Sequence, residues 1–179
     1  MKNARSIVTL LLGSFCFVGA AQAEWKKDLS KELPLMGHRN WVVVVDSAYP
    51  LQTAPGIKTL YAGEDHLKVL EEVLKQISKQ KHVRPVILVD QELDYVAEKD
   101  APGISALRKK LKTLLADTGA QTLAHEKIID QLDAAGEVFK VIVIKTDLTL
   151  PYTSVFMRLE CGYWSAEAEK NLRQAMSGN

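Results

Sequence analysis

Cysteine is nearly missing from this chain. Its 179 residues hold two, Cys16 and Cys161. Cys16 lies in a segment that reads as a removable leader, so the mature chain keeps one thiol and can form no internal disulfide. An exported domain without that staple must be held by its apolar core or by association with further copies. Histidine is almost as scarce. His38, His66, His82 and His125 are scattered, and none has the close His/Cys spacing of a metal site. No glycine-rich loop follows an apolar strand, no Walker sequence occurs, and no serine sits in a nucleophile elbow. Neither a metal nor a nucleotide cofactor is expected. Charge of one sign is also lacking: 23 Lys and Arg stand against 22 Asp and Glu. That balance gives no bulk attraction to nucleic acid or to an anionic membrane.

What is present begins with the leader. Lys2 and Arg5 form a basic start, and residues 7–20 are largely apolar, with Gly13 and Ser14 breaking the run. Ala21-Gln22-Ala23 then has the small-x-small pattern of a cleavage site, so residues 1–23 read as a secretory signal peptide. The apolar run falls short of the roughly 20 residues that a spanning helix needs, which argues against stable membrane insertion. Residues 24–179 are then one exported domain, secreted or periplasmic, long enough for a real core. Cleavage removes two positive charges and leaves acids one ahead of bases.

Along that domain, residues 24–35 are mixed and charged and read as a lead-in ending near Pro34. Trp41-Val42-Val43-Val44-Val45 is the most apolar stretch of the mature chain, and its β-branched composition predicts a strand buried on both faces. Pro50 and Pro55 put a loop over residues 48–56, and a second strand is expected at 57–61. Leu67, Leu70, Val73, Leu74 and Ile77 have helical spacing behind Asp65, a candidate N-cap. Further strands are expected at 86–89, 121–124, 139–144 and 155–159. Helices are expected at 104–116, at 126–132 with an end near Gly136, and at 166–175 behind Ser165. Strands alternating with amphipathic helices predict an α/β single domain, a sheet flanked by helices on both faces.

Polar groups cluster where the apolar strands end. His38 precedes the first strand and Asp46 follows it. At about 3.3 Å per residue the two cannot touch within one copy. His125 sits at a strand-to-helix corner, and Tyr152 follows Pro151 at the mouth of the last strand. Ligands of open α/β sheets bind at such ends. Bland roles exist for each: a turn residue for Asp46, a loop residue for His38, a helix cap for His125. His66 and His82 read as surface histidines. Cys161 would serve a thiol or acyl enzyme, although a lone cysteine at a strand end is more commonly packing.

Taken in order, these pieces have a pattern. Gly37-His38, then Asp46 and Pro50, then Gly63 before a helix, then Thr122-Leu123-Ala124-His125-Glu126, then Pro151-Tyr152-Thr153-Ser154 together resemble the D-ribose pyranase/L-fucose mutarotase family over residues 35–162. The resemblance implies a ribose pyranase/fucose mutarotase-like fold and a homo-oligomeric ring, a pentamer or decamer, with sites between neighbouring copies. It implies a monosaccharide as ligand and no metal or nucleotide. By position His38 looks like the family's catalytic histidine, and Asp46, His125 and Tyr152 like its sugar-binding residues. The implied activity is interconversion of anomers or ring forms by general acid/base catalysis. Asn40 and Ser154 depart from the family's pattern and favour an alternative, a sugar-binding or structural ring without the chemistry.

The leader makes the first prediction. N-terminal sequencing of protein taken from the envelope of the source cell should begin at Glu24, and a retained Met1 would overturn the export reading.

Overall fold

A computed structural model describes residues 17–178 of the chain, with side chains over 24–178. The first sixteen residues of the expected leader, Cys16 among them, lie outside the described residues. Among those described, no helix is long and apolar enough to cross a membrane.

Six strands form one sheet. In chain order they are β1 (Trp41–Val45), β2 (Ile57–Tyr61), β3 (Val83–Asp90), β4 (Gln121–Leu123), β5 (Val141–Lys145) and β6 (Val155–Cys161). Their spatial order is β2-β5-β1-β6-β3-β4. β1 pairs in parallel with β5 on one side and antiparallel with β6 on the other, so that Val43 faces both Val143 and Phe156. β6 is antiparallel to β3 as well. The other five strands therefore point the same way, and their C-terminal ends share one edge with the start of β6.

All five β1 side chains are buried. Val42 and Val44 enter one core, and Trp41, Val43 and Val45 enter the other. This is the period-two alternation of a strand covered on both sides. The first core is closed by α1 (Phe17–Glu32), α2 (His66–Ser78) and α3 (Ile104–Leu114), and the second by α4 (His125–Val138). Burying each such Val contributes on the order of 1.5–3 kcal/mol. Asp65 caps α2 as expected, its carboxylate accepting the Lys68 N–H at 3.1 Å. Ser165 caps α5 (Ala166–Ser177) through the Ala168 N–H at 3.0 Å, yet α5 buries no residue of its own.

Three expectations needed correction. The charged lead-in is the last part of α1 and the 3-10 turn Leu33–Leu35 that follows it, and it is a structural wall of the core. Trp25, Leu29 and Leu33 recur every fourth residue among the charges, and none is more than 2% exposed. Trp25 Nε1 also donates to Glu64 Oε1 at 2.9 Å, which ties α1 to the turn before α2. Gly136 does not end α4, which runs on to Val138. It is a close-approach glycine: a Cβ there would lie 2.8 Å from Ile57 Cδ1. β3 starts three residues earlier than expected and runs through Pro85, which pairs with Leu159 of β6. The missing N–H is tolerated because β4 flanks β3 only over residues 88–90, leaving Pro85 on an open edge.

Leu29→Ala should cost about 2–5 kcal/mol, the range of a buried leucine truncation. Urea melts check this; a loss below about 0.5 kcal/mol, as at surface sites, would return the segment to a loose lead-in.

Candidate active site

The shared C-terminal edge of the sheet carries a pocket of about 460 Å³, with Asp46, Tyr49, Gln52, His125, Asp133 and Tyr152 on its walls. Asp46 leaves β1 and turns the chain at once, its Oδ1 accepting the Ala48 N–H at 2.8 Å. Asp and Asn favour such turns because the short side chain reaches its own backbone two residues on. His125 opens α4. Its backbone N–H is held by both oxygens of Glu92, at 3.1 and 3.0 Å, an acid placed at the positive end of the helix. Its ring Nδ1 lies 3.0 Å from Asp90 Oδ1, at the end of β3. Tyr152 has a left-handed backbone, φ +56°. That unusual conformation turns its ring edge-on to His125, with centroids 5.5 Å apart.

Tyr49 is buried, and its hydroxyl donates to Gln52 Oε1 at 3.3 Å while Gln52 Nε2 donates to Asp133 Oδ1 at 2.7 Å. Burial pushes the Tyr49 phenol up, and Asp133, Asp90 and Asp46 push it further, so it stays a donor. Burial also raises the Asp90 carboxyl to about 6, against the downward pull of His125. The pocket thus offers acceptor carboxylates beside donors held on a rigid frame, which suits a ligand rich in hydroxyls.

Of the four residues singled out from sequence, Asp46, His125 and Tyr152 meet in this pocket. His38 does not. It stands in an exposed turn at the opposite edge of the sheet, beyond the roughly 13 Å length of β1. There it borders a second depression of about 430 Å³ with His82, Cys161, Tyr163 and Trp164. The turn is built by Asn40, whose Oδ1 accepts the Gly37 N–H at 2.7 Å and whose Nδ2 donates to Lys140 O at 3.2 Å. His82 is half-buried and its Nε2 donates to Met36 O at 2.9 Å. Among the described residues no group of three or more His, Cys, Asp or Glu is arranged to hold a metal ion.

The profile of the RbsD / FucU transport protein family matches residues 23–162. The chain belongs to that family. Solved structures similar to it include Bacillus subtilis RbsD complexed with D-ribose, at 19% identity and a TM-score of 0.49, over 74% of this chain and 91% of that one. The fucose mutarotase of Streptococcus pneumoniae, in complex with L-fucose, gives the same figures. FucU from Bifidobacterium longum is 14% identical, with a TM-score of 0.46 over 75% of this chain and 94% of that one. No protein of curated function matches the sequence. The family expected from the ordered motifs is the one found.

Beyond Tyr49, Gln52, Glu92 and Asp133, two further polar groups of this RbsD / FucU chain escaped the sequence reading. Asp90 follows an apolar run, Val86-Ile87-Leu88-Val89, just as Asp46 follows its valines; the repeated pattern was the available signal. His66 is the second. Expected at the surface, it is 2% exposed, its ring held against Thr146 just after β5. Thr146 Oγ1 donates to Val45 O at 2.9 Å, so at 3.0 Å it must accept from His66 Nδ1–H. Nε2, on the other side of the ring, is buried and meets no partner at hydrogen-bond distance. Burial pulls His66 down to about 4.

His66 predicts an acid sensitivity. As pH falls below about 6.5 the unfolded chain protonates this residue, while the folded chain does not until about 4. Stability present at pH 7.5 should drop by about 2–3 kcal/mol at pH 4.5 from this group alone. Denaturant melts at the two pH values should show the drop shrink by that amount in His66→Gln, which keeps a donor and cannot titrate. An equal drop in both proteins would clear His66.

Proposed function

We propose that this chain is an exported, cofactor-independent isomerase that interconverts anomers or ring forms of a monosaccharide by general acid/base catalysis. The observation that carries the reading is the pocket where Asp46, His125 and Tyr152 converge, in a chain of the RbsD / FucU family. Opening a sugar ring needs a base for the anomeric hydroxyl proton and an acid for the ring oxygen. Positioned groups of that kind supply about 10²–10⁴-fold. Asp46 accepts hydroxyl hydrogen bonds and fixes the sugar's face. Tyr152 offers a phenolic donor, and imidazole can serve in either proton state near neutral pH.

His38 enters this reading from a second copy of the chain. It is exposed, its turn is fixed by Asn40, and it cannot reach its own pocket. A homo-oligomer, in the expected ring of five or ten copies, would set one copy's His38 against the next copy's Asp46, His125 and Tyr152. The competing reading, a sugar-binding ring without turnover, draws on Asn40. Its side chain is spent on two backbone bonds and is not offered to a ligand.

Saturation-transfer NMR of anomeric exchange over a panel of monosaccharides tests the activity. His38→Ala should keep the fold and lose about 10²-fold in rate, and Asp46→Asn should keep the fold and weaken sugar binding, because an acceptor-only carboxylate becomes a mixed donor and acceptor. Coexpressed, the two variants should recover roughly a quarter of wild-type sites, because each intact pocket can meet an intact His38 from a neighbour. Absence of recovery would place the whole site in one copy. Binding without exchange in the wild type would favour the non-catalytic ring.

A further inference from the structure

His125 has a partner that a ligand-binding histidine at a surface does not need. Asp90 is 1% exposed, whereas the His125 side chain keeps 30% of its surface open beside the pocket. The contact joins Asp90 Oδ1 to Nδ1, at 3.0 Å. An ionised carboxylate only accepts, so Nδ1 carries a hydrogen, and in the neutral imidazole Nε2, across the ring, then holds the free lone pair. Tyr152 meets the ring edge-on and Glu92 grips the backbone N–H. Ring, tautomer and helix start are each fixed by a separate contact.

Asp90 is a poor choice for stability. Its Oδ2 is buried and has no hydrogen-bond partner. A half-satisfied buried acid costs free energy, and burial raises it to about 6. The charged groups that face it, Glu92 and Asp46, add to the cost, while the Tyr49 phenol nearby stays neutral. Only His125 offsets that repulsion. A carboxylate kept under such conditions is kept for what it does to the histidine.

We infer that His125 is the base of ring opening and that Asp90 is its positioning residue, the pair acting from within one copy. This rests on the sugar-isomerase reading above. Nε2 takes the anomeric hydroxyl proton, and the O–H electron pair becomes the second bond of the C1 carbonyl. The bond from C1 to the ring oxygen breaks, and its electrons accept a proton from the acid, His38 of a second copy. Reclosure on the other face, or through another hydroxyl, reverses both transfers and returns each histidine to its starting state. Two histidines with opposite tasks explain why one is bound to a carboxylate and the other is not.

The test uses the full mature protein and its Asp90→Asn variant. In the wild type at pH 8, ¹⁵N NMR of the imidazoles should show His125 protonated on Nδ1 and bare on Nε2. The amide can donate as well as accept, so the variant should show a mixture of tautomers. Its turnover in NMR exchange should fall about tenfold or more while KM changes less than about twofold. Its Tm at pH 8 should rise by about 2–6 °C, because a buried charge has been removed. Unchanged turnover in the variant overturns the inference and leaves the isomerase reading standing. So does a wild-type His125 protonated on Nε2. A lower Tm with turnover and sugar binding lost together assigns Asp90 to structure and also overturns it. No exchange by the wild type with any sugar fails the isomerase reading itself, and the base role with it.

Discussion

Everything in this molecule is arranged around a strand that has no solvent face. β1 sends alternate side chains into two separate cores, so none of its five positions tolerates a polar group without a buried partner. Chemistry is therefore pushed to the two ends of the strand, where His38 and Asp46 stand. Other parallel strands obey the same rule. β5, beside β1, ends in Lys145, and β3, beyond β6, ends in Asp90, so their polar residues arrive at the same edge of the sheet.

That edge is built of mutually repelling acids. Asp46, Asp90, Glu92 and Asp133 lie around a few donors, and the arrangement holds because the donors are fixed first. The start of α4 points the His125 N–H at both carboxylate oxygens of Glu92. Lys145 Nζ is bound to Tyr49 O at 2.6 Å, which pins the loop that carries Tyr49 and Gln52. A hydroxyl-rich ligand meets acceptors that are already oriented, and little reorganisation is left to do when it binds.

Much of this could be read from the residues. The valine run, the helix spacing behind Asp65 and the cap at Ser165 each encode local structure by period or by a single side chain. Asp46, His125 and Tyr152 were legible because they sit at strand ends, where topology alone brings them together. Other features depend on contacts distant in sequence. The apolar residues of α1 are diluted by charges, and only the sheet they cover reveals them as core. Gly136 looks like a helix stop until Ile57 is seen against it. Nothing near His66 in sequence says that its ring is covered. The Asp90–His125 pair joins residues 35 positions apart, a link that no local pattern carries.

Pro85 has a consequence for the protein's behaviour at high concentration. Beyond the three residues paired with β4, the outer side of β3 is an unfinished sheet edge, the kind of surface on which strands of other molecules add and grow into aggregates. A proline there has no N–H to give an arriving strand, and its ring stands where that strand would seat. Arg84 beside it is exposed and adds a charge that would have to be desolvated. The opposite border, β2, is screened in another way: Lys58 is bound to Glu32 of α1 at 2.9 Å, which draws a helix along it. What looks like a flaw in the strand pattern is thus a safeguard on solubility.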